Sequence, residues 1–193
     1  QQVVIIGIGG SDEQAQKEIT IYVDQLHRKL KEAGIRVVSD NDFRKTLGFR
    51  INDWELKGIP LRIEVVKKEL ESKSITIVRR DNFSKESFGM DELTIKITQL
   101  LEQIQQDLYD KSEKSRNDLT VEVATYEEFK DIMANKKMFI RAPWCEDVAC
   151  EAIIKEETKA TTRCLELDKI DEVLDSKCVR CGNKAIHRWL FAQ

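Results

Sequence analysis

The chain has 193 residues, with 32 lysines and arginines against 35 acidic residues, and 41% of its side chains are hydrophobic. This length suits two modest domains, the near balance of charge excludes a uniformly basic nucleic-acid coat, and the apolar content argues against disorder. No apolar run approaches the roughly 20 residues that a membrane-spanning helix needs. A strand-like run begins at Val3 without an initiator methionine, so we expect a piece of a longer polypeptide.

The first elements alternate between strand and helix patterns. The β-branched run Val3–Ile8 predicts a buried strand. Ser11 and Gln14 form a capping-box pattern that begins an amphipathic helix, and Gly34 ends it. Ile35–Ser39 predicts the next strand. A strand, a helix and a second strand at this spacing favour a parallel or mixed sheet.

The chain then continues with a less regular region and a long helix. The predicted segments are a helix near Phe49–Leu56, a strand at Leu61–Val66, a polar loop at Lys67–Lys73 and a strand at Ser74–Arg79. Apolar residues from Leu93 to Leu108 recur at helical spacing. The polar stretch Lys111–Asn117, or the end of a helix that runs into it, then marks a domain boundary.

The second segment has shorter elements of both kinds. We predict a strand at Leu119–Ala124, a helix capped by Thr125 and Glu128, a strand at Met138–Ala142, a helix at Val148–Glu157 and strands near Thr161–Leu165 and His187–Ala192. These elements indicate a small α+β domain.

All five cysteines follow position 144, and four of them form two close pairs: Cys145 with Cys150, and Cys178 with Cys181, which Gly182 follows. Two such pairs can surround Zn²⁺ with four thiolates, which leaves no position for water and predicts a structural site. Unrelated buried cysteines or a redox Cys-x-x-Cys pair are the alternatives. The odd number of cysteines argues against a closed disulfide framework, and their clustering after position 144 points to a metal site in a reducing compartment.

The remaining candidates for metal ligands have simpler interpretations. Cys164 lies in a predicted strand and is expected to be a core residue. His187 lies in an apolar strand pattern, where a packed or hydrogen-bonded histidine is commoner than a ligand. His27 lies on the polar side of the first helix, where we expect it to be solvated.

Residues 36–80 are locally basic, with 11 lysines and arginines against seven acids. Phe49 and Trp54 lie among these bases and could stack on unpaired nucleotides, as recognition of single-stranded RNA requires. The alternative is that Trp54 belongs to the core and that the bases form a solvated rim.

Two stretches carry a specific resemblance. Residues 48–64, GFRINDWELKGIPLRIE, resemble the G-x-K-x-x-x-W-E-L-[KR]-G-[VI]-P-x-R-[VIL]-E segment of prolyl-tRNA synthetases. Glu156–Cys164, followed by Cys178–Gly182, resembles the C-terminal domain of the archaeal/eukaryotic-type members of that family.

The resemblance implies that residues 1–115 form a class II anticodon-binding domain with a mixed, mostly parallel sheet of about five strands. It implies that residues 118–193 form the family's small α+β zinc-containing domain. The parent enzyme would join L-proline to its tRNA through prolyl-adenylate, with ATP and Mg²⁺ in an upstream catalytic domain, and would be a cytoplasmic homodimer without a membrane partner. The chain alone would then bind proline tRNA through the anticodon loop and would not catalyse.

The resemblance also suggests which residues read the anticodon. Proline anticodons share two guanines, which suit Arg or Lys donors to O6 and N7 and carboxylates that accept from N1–H and N2–H. The candidates are Glu55, Lys57, Arg62, Arg79, Arg80 and Asp81. The chain departs from the family pattern in three places: Val66-Lys67-Lys68-Glu69 replaces a Gly-Pro-Arg/Lys-Asp turn, Arg50 replaces a lysine, and the chain ends in Gln193 instead of tyrosine.

Three alternatives remain open at this point. The same anticodon-binding fold occurs in other class II synthetases, such as those for threonine, histidine or glycine, although these typically lack a cysteine domain. A non-catalytic RNA-binding adaptor with structural zinc is the second alternative. The third is a thiol oxidoreductase that uses Cys178 and Cys181.

Overall fold

The structure is a computed structural model that describes residues 1–72, 74–170 and 175–193. Lys73, one of the basic residues counted above, lies outside the described residues. The chain divides into two compact units, Gln1–Asp110 and Lys111–Gln193. Across the described ranges, no helix combines the length and apolar character that crossing a bilayer requires.

The first unit alternates strands and helices. Its elements are β1 (Val3–Gly7), α1 (Glu13–Glu32), β2 (Val37–Asp40), α2 (Leu47–Leu56), β3 (Leu61–Val65), α3 (Lys67–Ser72), β4 (Ser74–Arg79), β5 (Lys85–Gly89) and α4, which begins at Leu93 and continues to Asp118. The polar stretch that we took for a boundary is therefore helical up to Asp118. The cap of α1 is Asp12 and not Ser11: its carboxylate accepts hydrogen bonds from the backbone N–H groups of Gln14 and Ala15.

Over the described residues of this unit, five strands form a mixed sheet in the order β2-β1-β3-β4-β5. β1 runs parallel to β2 and β3, whereas β4 runs antiparallel to β3 and β5. The prediction of a mixed sheet is confirmed, but parallel pairs do not predominate, because the short connections between β3, β4 and β5 reverse the chain each time. The segment Lys67–Ser72, which we predicted as a loop, is the short helix α3.

The two faces of this sheet are covered differently. Val3, Ile5 and Ile63 point into the main core with α1 and α4. Val4 and Ile6 point to the other face, where the partly buried Trp54 and Ile51 of α2 cover them. On this second face β3 continues with Arg62 and Glu64, because side chains alternate along a strand. Beyond α2 the second face of the sheet is therefore polar.

The second unit is built around a smaller mixed sheet. Its elements after α4 are β6 (Thr120–Glu122), α5 (Tyr126–Asn135), β7 (Phe139–Trp144), α6 (Val148–Thr158), β8 (Thr161–Leu165) and β9 (His187–Ala192). Four strands pair in the order β6-β7-β9-β8 within the described residues. The capping box of Thr125 and Glu128 is confirmed, and Phe129 and Phe191 pack edge to face in the core.

Two expectations for single residues are wrong. Cys164 is exposed and not a core residue, because a register shift between Thr162 and Cys164 interrupts the alternation of β8. His27 is not simply solvated: its Nδ1 lies 2.8 Å from the hydroxyl of Ser39. The expectation for His187 is confirmed, since its Nδ1 lies 2.6 Å from a carboxylate oxygen of Glu146.

Candidate nucleic-acid interface and metal centre

A buried polar network holds α2 against the end of the first sheet. Arg50, with 3% of its side chain exposed, donates from Nε to Asp40 Oδ1 at 2.9 Å and from Nη1 to the carbonyl of Gly7 at 2.9 Å. A third hydrogen bond joins Arg50 Nη2 to the carbonyl of Asp40. Trp54 donates its indole N–H to Asp40 Oδ2 at 2.7 Å. The position and orientation of α2 therefore depend on Asp40.

Trp54 is a core residue rather than a free stacking platform. One part of its side chain packs against Val4, Ile6 and Ile59. The Nζ atom of Lys57 lies 4.2 Å from the centroid of the indole, and the same ammonium pairs with Asp53 at 2.6 Å. An incoming base would have to displace Lys57 to reach this ring.

A line of alternating charges runs from α2 across the polar face of the sheet. Arg62 donates to Glu55 at 2.9 Å and to Glu64 at 3.0 Å, and Lys85 on β5 donates to Glu64 at 3.1 Å. Glu55 and Arg62 also line a small cavity together with Arg80. These groups offer paired donors and acceptors of the kind that a guanine edge needs.

The adjacent residues Arg79 and Arg80 point to opposite faces of the sheet. Arg80 is exposed on the polar face. Arg79 is buried on the face of α4, where it pairs with Asp81 at 2.7 Å and with Asp107 at 2.5 Å. Hydrogen bonds from Arg79 lower the pKa of Asp81 against the opposing effect of burial. The sheet therefore brings Glu55, Arg62 and Arg80 together, with Lys57 at the end of α2, but not Arg79 and Asp81.

An exposed aromatic side chain that the sequence analysis missed lies in the turn after β4. Phe83 has 64% of its surface exposed and a φ of 59°, which is unusual for a bulky residue. The carbonyl of Arg79 accepts a hydrogen bond from its backbone N–H, and Asn82 Oδ1 accepts one from the N–H of Ser84. The turn thus presents a free phenyl ring three residues from Arg80. The sequence signal that could have identified Phe83 as an exposed ring is an aromatic residue between polar neighbours, Asn82 and Ser84.

The structure brings Cys145, Cys150, Cys178 and Cys181 together, although two of them are 36 residues apart. Within the described residues, their sulfur atoms all lie within 4.8 Å of one another and could hold a metal ion. Cys150 Sγ lies 3.8 Å from Cys178 Sγ, and Cys145 Sγ lies 3.6 Å from Cys181 Sγ. Four sulfurs at about 2.3 Å from a tetrahedral ion are separated by about 3.8 Å. The four sulfurs therefore fit zinc. In both of these short sulfur–sulfur distances, one cysteine comes from the first sequence pair and the other from the second.

The backbone around the cysteines favours thiolates at part of this site. Burial of Cys178 opposes its ionisation, but backbone N–H groups of Cys181, Arg180 and Cys145 outweigh this and lower its pKa to about 7. Burial and the nearby Cys178 raise the pKa of Cys150 well above its ordinary value. Cys178 thus favours the thiolate, whereas Cys150 favours the protonated thiol. A bound divalent cation would favour the thiolate at both, because coordinated thiols lose their protons.

The residue after Cys145 connects the cluster to β9. Glu146 Oε1 accepts hydrogen bonds from His187 Nδ1 at 2.6 Å and from Trp189 Nε1 at 2.9 Å. Burial raises the pKa of the Glu146 carboxyl, but these two hydrogen bonds more than compensate and leave it below its ordinary value. The next residue, Asp147, caps α6 by accepting from the backbone N–H of Cys150 at 3.0 Å.

Two family models match different parts of the chain. Residues 2–106 match a family model described as an anticodon binding domain. Residues 126–193 match one described as the C-terminal part of prolyl-tRNA synthetase.

Individual relatives match along the whole chain. It is 42% identical over 192 residues to a proline–tRNA ligase of Flavobacterium johnsoniae, covering 100% of this chain and 38% of that protein. It is 38% identical over 184 residues to proline–tRNA ligase 2 of Clostridioides difficile, covering 95% of this chain and 37% of the relative. A crystal structure of prolyl-tRNA synthetase from Cryptosporidium parvum with L-proline and AMP superimposes with a TM-score of 0.89 at 35% identity, covering 100% of this chain and 40% of that one. The chain thus spans about two fifths of the length of these relatives.

Proposed function

The chain belongs to the prolyl-tRNA synthetase family, of which it comprises an anticodon-binding domain and the C-terminal domain, and we propose that it is the tRNA-reading part of a proline–tRNA ligase. The observation that carries the proposal is the similarity of both units to proline–tRNA ligases, at 42% identity over 192 residues in one of them. The proposed domains are residues 1–115 and 118–193.

The proposal for the whole enzyme follows from its relatives. The whole enzyme joins L-proline to proline tRNA through prolyl-adenylate, with ATP and Mg²⁺ bound in a catalytic domain that this chain does not contain. We assign it to the archaeal/eukaryotic type because of its cysteine-containing C-terminal domain, and we expect a cytoplasmic homodimer. The chain alone forms no prolyl-adenylate.

The polar face of the first sheet is the proposed anticodon interface. We propose that Glu55 accepts hydrogen bonds from the N1–H and N2–H groups of a guanine and that Arg62 and Arg80 donate to O6 and N7. Lys57 and Lys85 supply positive charge for the phosphates. Phe83 offers an exposed ring on which a base can stack. Arg79 and Asp81 have a weaker case, because Arg79 is buried on the opposite face of the sheet, where it pairs with Asp81.

The four cysteines are the proposed zinc ligands, with Cys164 outside the set. The metal, when bound, supplies a cross-link between the two cysteine pairs and, with four thiolates, keeps no position for water. Cys145 directly follows β7 and Cys150 lies in the first turn of α6, while Cys178 and Cys181 lie in the segment before β9. The site therefore ties three parts of the second unit together, and we propose a role in folding that unit.

A binding experiment tests the RNA part of this proposal. Fluorescence anisotropy would compare the affinity of the chain for proline tRNA with that for the same tRNA after each anticodon guanine is replaced by adenine. Each replacement should cost about 1–3 kcal/mol. Glu55→Gln should reduce this discrimination at one position, whereas Lys31→Ala on the exposed side of α1 is a matched control that should leave it unchanged.

Two outcomes would contradict the proposal. One is equal affinity for the native tRNA and for the tRNA with both guanines replaced. The other is an unchanged affinity after simultaneous replacement of Lys57, Arg62, Arg79 and Arg80, which would place the RNA on another surface. An assay of proline-dependent exchange between ATP and pyrophosphate should find activity in the full-length enzyme and none in this chain.

A further inference from the structure

The residue that follows a cysteine has an unusual backbone conformation at both halves of the metal centre. Gly182, directly after Cys181, has a φ of 74°. Glu146, directly after Cys145, has a φ of 60°. Glycine adopts this left-handed conformation readily, whereas a residue with a Cβ adopts it only where its surroundings impose it. The glutamate at position 146 therefore needs an explanation that Gly182 does not.

The surroundings of Glu146 supply that explanation. A carboxylate only accepts hydrogen bonds, so the two atoms that approach Glu146 Oε1 are donors: His187 Nδ1 at 2.6 Å and Trp189 Nε1 at 2.9 Å. Both donors lie on β9. This strand pairs with β7, which ends at Trp144, two residues before Glu146. Trp189 is itself fixed by an edge-to-face contact with Trp144 at 5.5 Å. The side chain of Glu146 is thus held by two hydrogen bonds to β9.

The turn at Glu146 lies between the two cysteines of the first pair. It directs the backbone N–H of Asp147 toward the sulfur of Cys145. It also places the carboxylate of Asp147 so that it caps α6 and accepts from the N–H of Cys150. The first cysteine pair is therefore oriented through one turn, whose conformation depends on the anchored carboxylate.

From this geometry we infer that Glu146 is a positioning residue for the metal centre: its hydrogen bonds to His187 and Trp189 hold the Cys145–Cys150 pair in the arrangement that binds the ion. The inference rests on the proposed metal site and adds to it a residue that is not a ligand. Groups that hydrogen-bond directly to metal ligands typically change metal affinity by 10- to 100-fold when they are replaced. Glu146 acts through the backbone turn between two ligands, so we expect an effect at the lower end of this range.

Metal release from the intact 193-residue chain tests this role. The zinc-loaded chain would be mixed with an excess of a chromogenic chelator, and the rate of zinc transfer would be followed. Glu146→Gly keeps the left-handed backbone accessible but removes the carboxylate, so it should release zinc about tenfold faster or more. Glu146→Gln retains an oxygen acceptor and should give an intermediate rate. Lys137→Gly, at another left-handed position in the same unit with a φ of 52°, is the matched control and should leave the rate unchanged.

A cobalt spectrum separates a change at the metal from general destabilisation. In the Co²⁺-loaded chain, Glu146→Gly should alter the sulfur-to-cobalt charge-transfer bands, whereas Lys137→Gly should not. Native release rates and native cobalt spectra in Glu146→Gly would overturn the inference while leaving the zinc proposal intact. A wild-type chain that binds neither ion would refute the zinc proposal, and the inference with it. If Glu146→Gly fails to fold, Glu146→Gln decides by the same two measurements.

Discussion

Replacing Arg50 with methionine tests whether the buried network beneath α2 is essential to the first unit. The substitution keeps most of the apolar stem but removes three hydrogen bonds, two to backbone carbonyls and one to the carboxylate of Asp40. Asp40, with 11% of its side chain exposed, would lose its cationic partner and keep only neutral donors, among them Trp54. Breaking a buried ion pair on one side typically costs about 3–5 kcal/mol, a large part of the stability of a small domain.

Urea denaturation would measure this cost, with hydrogen exchange on peptides from β1 and β2 to assign the loss to the first unit. At a slope of about 1–2 kcal/mol per molar urea, a loss of this size should lower the midpoint of this unit by roughly 1.5–5 M. Arg44→Met is the matched control. Arg44 also donates from Nε to an aspartate, Asp42, at 2.7 Å, but 91% of its side chain is exposed. Because solvent screens such a pair, its removal should change the midpoint little.

A double-mutant cycle identifies the source of the effect. Asp40→Asn in the Arg50→Met background removes the uncompensated charge and should recover part of the lost stability. The reasoning fails if Arg50→Met and Arg44→Met have the same small effect, since burial would then not determine the strength of the pair.

Three further predictions concern the two sites. Arg80→Ala should weaken binding of proline tRNA about tenfold at unchanged stability, whereas Arg79→Ala should mainly lower the urea midpoint, because the two side chains lie on opposite faces of the sheet. Cys178→Ser should abolish stoichiometric zinc and unfold the second unit more than the first, whereas Cys164→Ser should retain the metal, as elemental analysis and hydrogen exchange would show. Asp81 has a lowered pKa, so its pairing with Arg79 contributes stability above the unfolded pKa of about 3.9 and loses it as the pH falls further. The difference in urea midpoint between the wild type and Arg79→Ala should therefore narrow from pH 5 to pH 3.

Each of these predictions has an outcome that would contradict it. Equal effects of Arg79→Ala and Arg80→Ala on RNA affinity would contradict the assignment of the two faces. Metal loss in Cys164→Ser would mean that the ligand set is wrong. A difference in midpoint that stays constant down to pH 3 would show that ionised Asp81 does not stabilise the fold.

Local patterns in the sequence account for most of the elements. The apolar period of α1, the capping box at Thr125 and the β-branched run of β1 predicted elements that the structure confirms, because each depends on neighbours a few residues away. The two stretches that resemble prolyl-tRNA synthetases likewise identified the family, since residues 48–64 and the spacing of the cysteines are properties of the linear chain.

Two predictions were wrong because they depend on contacts between parts of the chain that are distant in sequence or on strand register. Lys67–Ser72 is helical because it packs beside β4, with Glu69 accepting from the hydroxyl of Thr76, although its polar composition is typical of a loop. Cys164 is exposed because a bulge shifts its strand by one position, and a shift of one residue moves a side chain to the other face.

The sequence by itself determined the family, the fold class and the set of four cysteines, because residue identity and spacing carry that information. Only the tertiary structure decided which charged residues share a surface. Arg79 and Arg80 are equivalent in the sequence, but Arg79, the last residue of β4, pairs with Asp107, whereas Arg80, which follows the strand, lines a cavity with Glu55 and Arg62. The partners of Glu146 lie 41 and 43 residues away and meet it only because β7 and β9 pair antiparallel. Chain folding, and not local preference, sets such distances, so these contacts could be found only in the folded molecule.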